Sequence, residues 1–148
     1  MKPAFILKLA AVGLVALAAL HAGAQTAPAP TQLTGTLAKV RETGSITIGH
    51  RESSIPFSYL SARGEPIGYS IDLCKLLVDA ISEEVGRTIA VRWVPVTSES
   101  RIPAVVGGQV DLECGSTTNN LERQKQVSFS PTMFVSGTKL MVKKGSPI

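Results

Sequence analysis

Between Ser70 and Val85, the apolar residues Ile71, Cys74, Leu77, Val78, Ile81 and Val85 recur at helical spacing, and Gly86 follows them. This stripe must bury itself against a second layer. Short β-branched segments on either side, Ser45–Gly49 and Thr88–Val96, supply one. Further pieces extend the pattern. Thr36–Thr43 reads as a short helix stopped by Gly44, and residues 56–60 and 66–69 as a hairpin around the loop 61–65. Ser70 is expected to cap the long helix. Glu99–Val106 then reads as a short helix ended by Gly107-Gly108, Val110–Cys114 as a strand, Asn119–Gln126 as a helix and Thr132–Val142 as one or two strands. Strands that alternate with helices define an α/β fold, in which ligands sit beyond the carboxyl ends of the strands.

The first residues stand apart from this pattern. Met1-Lys2 opens a run that is uncharged from Leu9 to Leu20 and closes on Ala22-Gly23-Ala24. The run is too short to cross a bilayer and has the exit of a cleaved secretory signal, so residues 1–24 are expected to be a leader and residues 25–36 a flexible tether. Without the leader, 13 basic residues face 11 acidic ones, a charge of +2 rather than the +4 of the whole chain. No basic run interleaved with aromatics appears, which argues against nucleic acid. Cys74 and Cys114 would enter an oxidising compartment and a disulfide is open to them, but as small apolar packers they are expected to be free. Two cysteines and His50 do not form a metal site, and no nucleotide, hydrolase or metalloprotease motif implies a cofactor or a catalytic residue.

Three arginines fall just past expected strand ends: Arg51 after the first strand, Arg101 after the Thr97–Ser100 turn and Arg123 one turn into the helix beyond Cys114. Their guanidinium forks suit carboxylates, with two parallel donors and a charge that persists at any relevant pH. Ser98, Ser116, Thr117 and Thr118 stand among them, and hydroxyls serve an ammonium or a carboxylate equally. Thr118 or Asn119 is expected to cap the following helix and leave its N–H groups to an anion. Each feature also has a plain reading, as solvated surface charge or ordinary turn residues. Glu113 and His50 are read as structural.

Gly49-His50-Arg51-Glu52-Ser53-Ser54-Ile55-Pro56-Phe57-Ser58-Tyr59 and Gly68-Tyr69-Ser70-Ile71-Asp72 resemble the opening of periplasmic amino-acid-binding proteins of ABC importers. Thr97-Ser98-Glu99-Ser100-Arg101-Ile102-Pro103 and Glu113-Cys114-Gly115-Ser116-Thr117-Thr118-Asn119-Asn120-Leu121-Glu122-Arg123 extend the likeness, which is greatest with the glutamate/aspartate branch. The resemblance implies a periplasmic-binding-protein-like (type II) lobe with a mixed, mostly parallel sheet flanked by helices over residues 37–142. Residues 143–148 would begin the crossover to a second lobe that this chain lacks. It further implies a monomer that takes an acidic amino acid and delivers it to an inner-membrane permease. Arg123 and Thr118 would hold the α-carboxylate, Ser116 the α-amino group, and Arg51, Ser98 and Arg101 the side-chain carboxylate. A dehydratase-like enzyme on the same scaffold, drawing an acid from Glu52, Glu99 or Glu113, and a receptor's sensing domain are the alternatives.

Overall fold

A computed structural model describes residues 32–147. Residues 1–24, read as a leader, and residues 25–31 of the expected tether lie outside them. Helix α1 (Gly35–Thr43) ends at Gly44, which takes the left-handed conformation at φ 69° and returns its N–H to the Val40 carbonyl. Leu33 already packs against the core, so the fold begins inside the segment read as tether.

Strand β1 (Ser45–His50) follows at once and is the centre of a parallel sheet with β5 (Ala90–Pro95) on one side and β6 (Leu112–Cys114) on the other. The register pairs His50 with both Pro95 and Cys114, so the three carboxyl ends meet at one rim. Between β1 and α2 (Tyr69–Val85) the chain makes a small antiparallel sheet of β2 (Ser53–Ser54), β3 (Ser58–Leu60) and β4 (Pro66–Ile67). This contains the expected hairpin, with Tyr59 opposite Ile67.

Helix α2 covers one face of the parallel sheet. Its Ile71, Val78 and Val85 join Val40, Ile46, Ile48 and Ile89 in the main core, and Cys74 and Ile81 pack at its edge. All of the stripe seen in the sequence except Leu77, which is 44% exposed, therefore packs into the core, and full burial of each such side chain contributes roughly 1.5–3 kcal/mol. A second cluster of Val96, Ala104 and Val110 seats the short helix α3 (Arg101–Val106). Helix α4 (Leu121–Gln124) follows β6 and its turn. No helix among the described residues is long and apolar enough to cross a membrane.

Four expectations change. The N-cap of α2 is Gly68, not Ser70, because the helix starts hard against the hairpin: Tyr69 N and Ser70 N donate to the Pro56 and Phe57 carbonyls at 2.9 Å each. A Cβ at Gly68 would meet those same carbonyl oxygens at 2.7 Å, and φ is 122° there, so glycine fits where serine would clash. Asn120 rather than Thr118 or Asn119 caps α4, accepting the Arg123 N–H at 2.9 Å. Residues 132–142 form no strand; they carry β-type side chains but pair with no ladder, and most of them are exposed. Cys74 and Cys114, finally, are joined in a disulfide. The helical stripe points Cys74 at the end of β6, and the Cα atoms stand 6.4 Å apart, within bridging reach.

Candidate functional site

The carboxyl rim of the parallel sheet carries three turns. After β1, Ser58 is fully buried and clamps the chain: its hydroxyl accepts the Arg51 N–H at 2.9 Å and donates to the Arg51 carbonyl at 3.3 Å. That fixes where the Arg51 side chain leaves the sheet. His50 stays inside the fold, its ring edge-on to Trp93 at 6.2 Å and its Nδ1 3.2 Å from the Arg51 carbonyl, a packing role as expected.

After β5, Thr97 and Ser100 close a hydroxyl-backbone turn, with Thr97 N donating to Ser100 Oγ and Ser100 N to Thr97 Oγ1. Ser98 sits exposed at its tip, and Arg51 Nη1 donates to Ser98 Oγ at 3.1 Å. The turn launches α3, whose first residue is Arg101. This arginine is only 7% exposed, and its Nε and Nη1 are buried without a hydrogen-bond partner. Burial pushes its guanidinium below the usual range, and Arg123 and Arg51 act in the same direction against Glu113 and Glu99. A buried guanidinium with idle donors costs free energy until an anion arrives.

After β6 comes the turn Gly115–Asn120. Two bonds from α2 hold its root, the Cys74–Cys114 disulfide and a 2.7 Å hydrogen bond from Ser70 Oγ to the Gly115 carbonyl. Thr117 Oγ1 donates to Glu113 Oε2 at 2.9 Å. Arg123 Nη1 donates to the Thr118 carbonyl at 2.8 Å, which draws Arg123 back over the turn. The α4 N-terminus is less available to an anion than expected, because Asn120 already takes one of its N–H groups.

Ser116 and Thr118 face a cavity of about 420 Å³. Its opposite wall is aromatic: Phe57 lies 4.9 Å from Phe134 and 6.2 Å from Tyr69 between ring centroids, and Tyr69 Oη donates to the Met133 carbonyl at 2.9 Å. A second cavity of about 420 Å³ takes in Arg101, Glu113 and Thr117 and shares Gly115 with the first. The two openings flank one turn.

Five of the six expected residues thus fall into linked groups, while Arg101 stands apart on the second cavity. Arg51 and Ser98 are bonded to each other, Arg123 reaches the Thr118 backbone, and Ser116 and Thr118 line a common cavity. Arg101, Arg51 and Arg123 all oppose the rise that burial gives the Glu113 carboxyl. Two features were missed. Phe57, Tyr69 and Phe134 meet only because the hairpin folds against α2 and the chain after α4 returns over them. Glu113, read as structural, lies among the arginines; its carboxyl is pushed up by burial, while Thr117 and then Arg101, Arg51 and Arg123 oppose the rise.

Residues 46–148 match the profile of the bacterial extracellular solute-binding proteins, family 3. The L-glutamate/L-aspartate-binding protein of Pseudomonas aeruginosa is 56% identical over 119 residues, 79% of this chain and 39% of that protein. The glutamate/aspartate import solute-binding protein of Escherichia coli is 47% identical over 132 residues, 88% of this chain and 44% of that one. Among solved structures, the ancestral amino acid-binding protein AncCDT-1, a precursor of cyclohexadienyl dehydratase, superposes with a TM-score of 0.59 at 31% identity. That match covers 66% of this chain and 40% of the ancestral protein. Domain 1 of TmArgBP shares the fold over 68% of this chain and 74% of its own length, with a TM-score of 0.57 at 24% identity. The chain spans less than half the length of these curated relatives. With parallel strands, rim turns and family profile in agreement, this chain belongs to the bacterial extracellular solute-binding proteins, family 3.

Proposed function

We propose that the chain contributes one wall of the ligand cleft in a periplasmic solute-binding component of an ABC importer, and that the ligand is an acidic L-amino acid. The observation that carries this reading is Arg101, a buried guanidinium with two idle nitrogens. The names of the glutamate/aspartate-binding relatives support it. The side-chain carboxylate would take Arg101 together with the bonded pair Arg51 and Ser98. The α-carboxylate would take Arg123 and Thr118, and the α-ammonium the Ser116 hydroxyl, with Phe57 and Tyr69 shielding the aliphatic stem. Two negative groups and one positive group then meet complementary partners, and a permease receives the loaded protein.

Arginine separates a carboxylate from the amide of glutamine, because an amide offers one acceptor where the fork wants two. Calorimetric titration of the whole protein that carries this chain should give L-glutamate or L-aspartate an affinity on the order of 100-fold above L-glutamine, about the loss of one or two charge-assisted bonds. Equal affinities for glutamate and glutamine would contradict the reading.

A further inference from the structure

Glu113 is placed where a second carboxylate is hardest to accommodate. It extends from β6 and folds over Gly115: a Cβ on that glycine would collide with Glu113 Oε1 and stand 3.0 Å from Arg51 Cγ. Its Oε2 is held by Thr117, and its Oε1 is buried with no partner. Arg101 also has buried, idle donors, and the two are close enough to feel each other's charge. Even so, they close no ion pair among the described residues. Each is left to meet a third group.

An arriving side-chain carboxylate would satisfy Arg101 but would bring a second negative charge to the site Glu113 already occupies. Two carboxylates sharing one site disfavour double ionisation. Protonation resolves the conflict, because a neutral Glu113 no longer repels the ligand and its O–H becomes a donor. We propose, resting on the acidic-ligand reading, that Glu113 takes one proton from solvent when the ligand's carboxylate arrives and returns it when the ligand leaves.

The groups facing Glu113 are Arg51 beyond β1, Arg101 on α3, Arg123 on α4 and Thr117 on its own turn. Asp111, two residues back and just before β6, is occupied by Lys39 and the Thr47 N–H. A variant separates Glu113 from any other group that titrates near neutrality. The raised carboxyl of Glu113 brings its own titration closer to that range.

The test is calorimetric titration of the whole protein with L-glutamate between pH 5 and 8, repeated in phosphate and Tris buffers to count protons. Proton uptake on binding is expected, with affinity rising as pH falls by up to about tenfold per unit, the limit for one proton. Glu113→Gln should abolish both effects. Affinity that does not change with pH, or a pH slope that survives in Glu113→Gln, would overturn the proposal while leaving the ligand assignment standing. Failure to bind L-glutamate at any pH would sink the ligand assignment as well. Should Glu113→Gln not fold, carboxyl NMR of the wild type decides: the Glu113 midpoint must move up when L-glutamate is added, and an unmoved midpoint refutes the linkage.

Discussion

Arg101 and Glu113 are a cation and an anion kept from pairing. Burial weakens the charged form of each, and neither satisfies the other's idle atoms. Such a pair lowers the stability of the fold in exchange for a site ready to receive a ligand. The pH dependence follows from the sign. Glu113 has a folded-state pKa above its unfolded value, so the folded chain binds more protons. Its unfavourable contribution is therefore absent below the ordinary glutamate range and appears as pH rises through its raised pKa. Glu113→Gln keeps a partner for Thr117 while removing the charge, and should raise the melting temperature at pH 7 but not at pH 4. A variant less stable than wild type at pH 7 would show that the charge contributes to the fold.

At the scale of elements, the turn after β6 is defined less by its own residues than by α2, which holds it through Ser70 and the Cys74–Cys114 disulfide. The bridge spans 40 residues of sequence, and closing a loop of that size in the unfolded chain is worth about 4 kcal/mol. Replacing both cysteines with serine should lower the melting temperature by roughly 10–20 °C in a domain of this size. A shift within a few degrees would show that α2 holds the turn without the bridge. Periodicity made α2, the alternation of strands and helices and the hairpin legible, because burial on one face imposes a repeat on the sequence. The disulfide was not legible: whether Cys74 faces Cys114 depends on how α2 crosses the sheet, and no local spacing encodes that. The segment 132–142 misled for a related reason, since β-type side chains become a strand only beside an open ladder. The arginines were legible as positions, each just past a strand end, whereas Glu113 and the aromatic wall emerged only from the packing.

Over the whole molecule, the described residues form one α/β lobe whose rim gathers three turns around a positively charged site, with Val135, Leu140 and Met141 left 85%, 89% and 99% exposed beyond it. The curated relatives run to more than twice this length. In the proposed reading, this lobe recognises a side-chain carboxylate through the buried Arg101. The direct measurement is a comparison of L-glutamate and L-glutamine binding to the whole protein before and after Arg101→Leu. Glutamate affinity should fall by on the order of 100-fold or more, the worth of two charge-assisted hydrogen bonds, while glutamine affinity changes little. An equal loss for both ligands, or no loss for glutamate, would contradict it.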